Sequence, residues 1–219
     1  MEIHPTDNLF QQKNEESGDT VMEFIAHRIN TIKELKELEN CYGVELDLRD
    51  HLDGRIYISH NPFESGENFE EYLKHYHHGT MILNVKSERI EHRILELLKQ
   101  YGIEKYFFLD SSFPMIKQLS DLGERKIALR YSELEGLDTI RNMAGKVEWV
   151  WVDCFTRLPI DRESFRELKD LGYRLCMVSP ELEGQPEKIE EYRDFLIKER
   201  IVMDAICAKI HNKKLWFLN

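Results

Sequence analysis

Short apolar runs alternate with amphipathic segments from residue 21 to the end of the chain. The apolar runs predict eight buried strands, and the segments between them, with apolar residues three or four apart, predict helices. The predicted strands are 22–27, 43–48, 80–86, 105–110, 126–131, 147–153, 173–178 and 204–209. The predicted helices are 31–40, 68–77, 88–101, 113–122, 135–143, 162–171 and 186–201. A further apolar run, IYI at 56–58, predicts an extra strand after the second one.

This alternation predicts an α/β fold. Eight strands that alternate with helices, in units of about 25 residues, favour a closed (β/α)₈ TIM barrel, formed as a single domain by residues 21–219. Residues 1–20 are polar and without periodicity, so we expect them to form an N-terminal arm. A doubly wound open sheet is the alternative, although the glycine-rich first turn typical of that fold is absent.

Composition narrows the possible partners and location. The 219 residues carry a formal net charge of −11, which argues against nucleic acid or an anionic membrane surface as the main partner. No apolar stretch approaches the roughly 20 residues that span a bilayer, and no signal peptide is evident, so we expect a cytoplasmic protein without integral membrane association. The four cysteines, Cys41, Cys154, Cys176 and Cys207, show no CxxC pairing and are expected to be reduced thiols.

Polar residues gather where the predicted strands end. In a (β/α)₈ barrel the chemistry takes place at the carboxyl ends of the strands. These ends supply His27, Arg28, Glu45, Asp47, Asn84, Lys86, Asp110, Ser112, Arg130, Asp153, Ser179 and Lys209, and His60 follows the extra strand. So many polar groups at eight strand ends predict a functional site at this edge.

Two carboxylates of the second strand predict a metal site. Glu45 and Asp47 are two residues apart and therefore lie on the same face of the strand. Together they form a hard oxygen pair suited to Mg²⁺ or Ca²⁺, to which Asn84 can add a neutral oxygen from the next strand. An ion held there would polarise a phosphoryl oxygen.

The basic residues predict acid–base chemistry on a phosphate. His27 and His60 form the natural acid–base pair, because an ordinary histidine pKa of roughly 6.5 suits proton transfer near neutrality. Arg28 and Lys86 are placed to hold phosphate oxygens. These groups together point to cleavage of a phosphodiester.

The same residues carry a resemblance to a known family. AHRI with NT, followed by GVELDLRDHLDGRIYISHNP, resembles the glycerophosphodiester phosphodiesterase family within the phospholipase C-like phosphodiesterase barrels. That family reads AHRG and ENT, then an IExD strand, a DG turn and an HD pair. The resemblance covers residues 24–62, with weaker echoes in LNVK at 83–86, SSF at 111–113, MVS at 177–179 and DAICAK at 204–209.

The resemblance implies a role for each matching residue. His27 and His60 would be the catalytic acid and base, Arg28 and Lys86 would contact phosphate, and Glu45 and Asp47 would bind the divalent metal. The third metal carboxylate of the family falls on Asn84, which is neutral, and Asp110 is a candidate to compensate for it.

The sequence also departs from the family at other positions. Ile29 replaces a glycine, Cys176 falls near a family tryptophan, and Lys209 stands where the family has aspartate. Lys209 and Arg130 would make the mouth of the barrel locally basic and could contact substrate phosphate; an ion pair of Lys209 with Asp153 or Glu45 is the alternative.

The sequence therefore predicts a phosphodiester hydrolase for a small polar glycerophosphodiester, using two-histidine acid–base catalysis assisted by a divalent metal. A second hypothesis keeps the histidines but replaces the metal by Arg28 and Lys86, as in the metal-independent phospholipases. A third is a non-catalytic barrel that binds a phosphorylated ligand.

Overall fold

The computed structural model describes residues 22–217 of the chain, so the predicted arm at 1–20 lies outside the described residues. The strands are β1 (Glu23–Ala26), β2 (Gly43–Asp50), β3 (Ile56–Ile58), β4 (Glu67–Asn68), β5 (Met81–Val85), β6 (Tyr106–Leu109), β7 (Ala128–Tyr131), β8 (Trp149–Val152), β9 (Arg174–Val178) and β10 (Ala205–Ala208). The α-helices are α1 (Ile32–Glu37), α2 (Phe69–Leu73), α3 (Glu91–Tyr101), α4 (Phe113–Asp121), α5 (Asp138–Asn142), α6 (Arg162–Asp170), α7 (Ile189–Glu199) and α8 (Lys213–Trp216).

The structure contains a strand or helix at the position of every predicted element. The extra strand is β3, and the helix expected from residue 186 begins with a 3₁₀ turn at Pro186–Lys188 that continues into α7. The two-residue β4 and the four-residue α8 were not predicted, because neither is long enough to show a periodic pattern.

The described residues fall into two compact units. The N-terminal unit comprises residues 25–128, and the described part of the C-terminal unit comprises residues 22–24 and 129–217. The boundaries between them fall inside β1 and β7.

Strand β2 is the centre of the N-terminal unit. It pairs in parallel with β1 and with β5, and β5 pairs in parallel with β6. Beyond residue 47 it also pairs antiparallel with β3, which in turn pairs with β4. The first six residues of β2 are buried, so both faces of this strand are covered.

Local sequence signals explain how the flanking helices begin and end. Thr31 and Glu34 form a capping box in which the Thr31 hydroxyl accepts from the Glu34 N–H and the Glu34 carboxylate accepts from the Thr31 N–H. Helix α3 ends at Gly102 in the left-handed conformation, and it buries Ile94, Leu97 and Leu98.

The C-terminal unit is built on a second set of parallel strands. Strand β9 pairs in parallel with β8 and with β10. Every residue of β8 and β10 is buried, and the guanidinium of Arg174 stacks over the buried ring of Trp149, 4.0 Å from its centroid. The indole N–H of Trp216 donates to the Ser179 hydroxyl at 2.7 Å, which fixes α8 at the end of β9.

The architecture is a mixed α/β fold in which parallel strands alternate with helices, as predicted. Closure of the strands into a barrel stays a prediction. Within residues 22–217, no helix has both the length and the apolar character needed to cross a membrane.

Candidate active site

The site is built around two buried carboxylates of β2. Glu45 and Asp47 are 1% and 0% exposed, and Val44, Leu46 and Leu48 alternate with them along the strand. Burying two unneutralised carboxylates is costly, so each needs donors or cations close by. The structure supplies these from β1, β5 and the loops that follow them.

The turn after β1 wraps around Glu45. Arg28 has a left-handed backbone, with φ of 55°, and its N–H donates to Glu45 Oε2 at 2.8 Å. The next N–H, of Ile29, donates to the backbone carbonyl of Glu45 at 2.9 Å, and the Tyr72 hydroxyl donates to the Ile29 carbonyl at 2.8 Å. This turn places His27 Nε2 3.7 Å from Glu45 Oε2.

Asp47 lies among three nitrogen-bearing side chains. Asn30 clasps it reciprocally: the Asn30 amide donates to Asp47 Oδ2 at 3.0 Å, and the Asp47 N–H donates to Asn30 Oδ1 at 3.1 Å. Arg28 Nε is 3.7 Å from Asp47 Oδ2, and Lys86 Nζ is 3.7 Å from Asp47 Oδ1. Both cations are therefore close enough to neutralise Asp47 without forming a short hydrogen bond to it.

Asn84, on β5, lies next to both carboxylates. It is the register partner of Asp47, and its amide donates to Glu45 Oε1 at 2.8 Å. Burial, reinforced by the negative charge of Asp47, raises the pKa of Glu45 to about 7, although the hydrogen bonds from Asn84 and Arg28 oppose the shift. Glu45 is thus poised to exchange a proton near neutrality.

Lys86 and Asp110 form an ion pair at the ends of β5 and β6. Lys86 Nζ donates to Asp110 Oδ2 at 3.2 Å, and both side chains are about four-fifths buried. The Asp110 backbone has φ of 62°, a conformation that aspartate tolerates better than most residues. Asp110, predicted as a substitute metal ligand, is here a partner of Lys86.

His60 lies on the loop after β3, in a defined tautomer. The Asn61 amide donates to both carboxylate oxygens of Glu64, at 3.0 and 3.1 Å, so Asn61 Oδ1 is turned towards His60 Nδ1 at 2.9 Å. An amide oxygen only accepts, and the neutral ring must therefore carry its proton on Nδ1. His60 Nε2 is left as the basic nitrogen.

Arg49 connects the His60 loop to the end of β5. Its Nη2 and Nε donate to the His60 carbonyl at 2.8 and 3.3 Å, and its Nη1 donates to the Lys86 carbonyl at 2.9 Å. The sequence analysis did not select Arg49. A signal was present, since Arg49 continues the alternation of Glu45 and Asp47 on the same face of β2.

The His60 loop is closed by Gly66. A Cβ atom at this position would lie 1.9 Å from the Ile58 carbonyl oxygen, so only glycine permits the loop to return so close to β3. Ser59 fixes the other end, because its N–H donates to the Asp47 carbonyl at 3.0 Å. Between these two points Phe63 projects fully into solvent.

The oxygens near Asp47 and Asn84 fit a hard cation. Asp47 Oδ1 and Asn84 Oδ1 are buried without a hydrogen-bond partner in the described part of the chain, and they belong to paired residues of neighbouring strands. Across residues 22–217, however, no three His, Cys, Asp or Glu side chains converge as a metal site. Because the third oxygen comes from the Asn84 amide, the donor set suits Mg²⁺ or Ca²⁺ with reduced negative charge.

Lys209 and Arg130 belong to the C-terminal unit. The Lys209 N–H donates to Glu181 Oε1 at 3.0 Å, at the end of β10. Asp153, considered as a partner of Lys209, instead pairs with Arg130. The role of Lys209 as a phosphate contact stays a prediction.

The N-terminal unit therefore brings together His27, Arg28, Glu45, Asp47, Asn84 and Lys86 in one chain of direct contacts. His60 is linked to the same group through the backbone contacts of Arg49. Asn30 and Arg49 are the additions that the structure makes to the predicted set.

Comparison with known proteins bears on the fold. No family model matches the chain, and no curated protein sequence matches it either. Among solved structures, the chain is similar to the crystal structure of glycerophosphodiester phosphodiesterase from Agrobacterium tumefaciens str. C58, with a TM-score of 0.61 and 14% sequence identity over 90% of this chain and 97% of that one. The chain thus shares its fold with a glycerophosphodiester phosphodiesterase.

Proposed function

We propose that the protein is a phosphodiester hydrolase that cleaves a small polar glycerophosphodiester by two-histidine acid–base catalysis. The observation that carries this proposal is the cluster around Asp47, where two cations and a histidine-bearing turn meet two buried carboxylates. The fold shared with a glycerophosphodiester phosphodiesterase supports it, as does the family resemblance of residues 24–62.

Arg28 and Lys86 are the proposed phosphate ligands. Each is 3.7 Å from a carboxylate oxygen of Asp47, so donors of both remain available for an incoming anion. Arg28 keeps 42% of its side chain exposed, and its planar fork suits two phosphate oxygens at once. Asp47 would then hold the two cations apart in the geometry that a phosphate requires.

The tautomer of His60 supports its assignment as the base. Its Nε2 carries the lone pair, and the Glu64–Asn61 chain behind Nδ1 orients the ring. His27, whose Nε2 lies 3.7 Å from Glu45 Oε2, is the proposed acid by elimination.

The reaction follows from these positions. A hydroxyl of the glycerol moiety attacks phosphorus and gives its proton to His60 Nε2 while a P–O bond forms. The bond to the other alcohol breaks, and the departing oxygen takes a proton from His27. Water then opens the cyclic phosphate, with the two histidines exchanging roles.

Glu45, Asp47 and Asn84 are the proposed residues that would hold Mg²⁺ or Ca²⁺. When bound, the ion would offset charge on a phosphoryl oxygen. Asp47 Oδ1 and Asn84 Oδ1, which accept no hydrogen bond in the described part of the chain, support this part of the proposal.

A metal-independent phosphodiesterase is the second candidate, and one contact favours it. Lys86 Nζ is already 3.7 Å from Asp47 Oδ1, one of the oxygens proposed to face a metal. An ammonium at this place, together with Arg28, would supply the positive charge that the phosphate needs.

Product release from a panel of glycerophosphodiesters tests both candidates. We expect the wild-type protein to release glycerol phosphate and the free alcohol, and to lose this activity in EDTA and regain it with Mg²⁺ or Ca²⁺. Full activity in EDTA would favour the metal-independent candidate. Binding of these compounds without turnover would contradict both and indicate a non-catalytic phosphate-binding barrel.

A further inference from the structure

We infer that Arg49 is a positioning residue for the active site, one that holds His60 and Lys86 at a fixed separation; the inference rests on the proposed function. A single guanidinium donates to the backbone carbonyls of both residues, with Nη2 and Nε on His60 and Nη1 on Lys86. The two carbonyls belong to segments 26 positions apart in the sequence, on opposite sides of β2.

The backbone of β2 cannot perform this task alone. Following each flanking chain out of its strand, the last backbone bond to β2 is from the Ser59 N–H to the Asp47 carbonyl on the β3 side and from the Lys86 N–H to the Leu48 carbonyl on the β5 side, at 3.0 and 2.9 Å. Past these bonds β3 and β5 have ended, and the Ser87 hydroxyl, which accepts from the Asp50 N–H at 3.3 Å, is a further contact on the β5 side. The Arg49 side chain reaches the two carbonyls that follow.

The bonding of Arg49 differs from that of an ordinary surface arginine. In residues 22–217 it forms no ion pair with a carboxylate, and its side-chain hydrogen bonds all go to backbone carbonyls of two candidate site residues. Because the acceptors are uncharged backbone carbonyls, these hydrogen bonds fix the positions of the two segments and do not neutralise a charge. A planar guanidinium can point donors in two directions at once, which an ammonium on a flexible stem does not reproduce.

Loss of this fork should misplace the base relative to the phosphate site. His60 is the proposed base and Lys86 a proposed phosphate ligand, so their separation sets whether proton transfer and phosphate binding occur in one geometry. A displacement of about 1 Å in such an arrangement costs on the order of 100-fold in rate. Arg49 itself touches neither the substrate nor the reacting atoms in this account.

The test uses Arg49→Met and Arg49→Lys, with Arg55→Met as the matched control. Arg55 lies on the same hairpin, with 68% of its side chain exposed and a long ion pair of 3.9 Å from its Nε to Asp53, and its backbone hydrogen bond to Asp53 is kept in the variant. We expect kcat for a glycerophosphodiester to fall about 10- to 100-fold in both Arg49 variants, with KM changed by less than about threefold. Arg55→Met should retain wild-type kinetics.

Hydrogen–deuterium exchange supplies a readout that does not depend on activity. Peptides covering 56–63 and 83–88 should both exchange faster in Arg49→Met and Arg49→Lys than in wild type or Arg55→Met. Unchanged exchange in both peptides, or full kcat in Arg49→Lys, would overturn the inference. A wild-type protein without turnover would contradict the proposed function, while the exchange data would still decide whether Arg49 holds the two segments.

Discussion

The carboxyl group of Glu45 is buried on β2, next to His27. Its ordinary pKa of 4.5 is raised to about 7 by burial and by the charge of Asp47, so the folded protein binds a proton that the unfolded chain releases near pH 4.5. The stabilising effect of this proton is complete below pH 4.5. It is lost as pH rises through the window from about 4.5 to 7.

Replacing Glu45 with Gln should remove this pH dependence. The free energy of unfolding of wild type, from urea titrations in EDTA, should fall relative to that of Glu45→Gln between pH 5 and pH 8, by up to about 3 kcal/mol. The Gln amide has a single acceptor oxygen, so one of the two hydrogen bonds from the Arg28 N–H and the Asn84 amide is lost in the variant at both pH values, and its cost cancels from the comparison. A constant difference between the two proteins would contradict the raised pKa.

The two histidines should respond differently to the leaving group. A p-nitrophenyl ester of glycerol phosphate releases a phenolate that needs no proton, so His27→Ala should keep substantial activity on it and lose about 100-fold or more on an ordinary glycerophosphodiester. His60→Ala should lose activity on both, because the attacking hydroxyl still needs a base. The exposed His77 supplies a control, and His77→Ala should behave as wild type. Equal losses on both esters in His27→Ala would contradict the assignment.

The residues of the candidate site differ in how readily the sequence predicts them. Glu45 and Asp47 could be predicted because strand alternation alone places them on one face. Arg49 has the same alternation, but its partners are carbonyls whose positions depend on how β3 and β5 end. The contacts around Asp47 likewise depend on Asn30. Its two hydrogen bonds with Asp47 require the turn after β1 to be in place, and no local pattern in the sequence predicts this turn.

The loop between β3 and β4 is the element most sensitive to a small change. At Gly66 an added methyl group would meet the Ile58 carbonyl oxygen, which belongs to the strand and cannot swing aside. Gly66→Ala should therefore lower the free energy of unfolding by about 1–3 kcal/mol and reduce kcat, because the loop carries His60. Thermal denaturation and kinetics measure the two effects.

Gly136→Ala is the matched control for this substitution. Gly136 also lies in a loop, but a Cβ atom there meets nothing within 4 Å and its backbone needs no positive φ. We expect this variant to match or slightly exceed the stability of wild type. Equal behaviour of the two alanine variants would mean that Gly66 tolerates a side chain.

Elements were predictable where they are long or bounded by recognisable residues. Gly123 and Gly172 have positive φ after α4 and α6, as expected for residues that end helices. Helix α3 begins at Glu91, three residues later than predicted, because Ser87 does not cap it and the chain makes a turn first. Strand β4 owes its existence to its pairing with β3, which no local pattern reveals.

At the scale of the whole molecule, the net charge of −11 opposes compaction. Screening this self-repulsion should stabilise the protein, so Tm at pH 7.5 should rise between low salt and 0.2 M NaCl, by about 2–4 °C if screening contributes about 1 kcal/mol. The increase should vanish near pH 5.4, where the net charge approaches zero. An equal salt response at both pH values would show that net repulsion is not the cause.

The α/β alternation of residues 22–217 could be predicted from the sequence because strands and helices alternate so regularly. The solved structure described above shares this fold over 90% of the chain at only 14% sequence identity. The fold therefore depends on the alternation and the apolar pattern more than on most individual residues. The apolar pattern specifies which faces are buried, but it does not specify which strands meet at the edges. Closure into a barrel depends on those edges and remains a prediction.

The loop held between Ser59 and Gly66 also has a consequence for protein engineering. One end is fixed by the bond from the Ser59 N–H to the Asp47 carbonyl and the other passes close to the Ile58 carbonyl at Gly66, and His60, Asn61 and Glu64 form one hydrogen-bonded group within it. The remaining positions, Pro62, Phe63 and Ser65, are exposed. Libraries that vary these three positions would sample new surfaces beside His60 without changing the paired residues of β3 and β4, so under the proposed function this short segment is the natural place to alter the range of alcohols in the substrate.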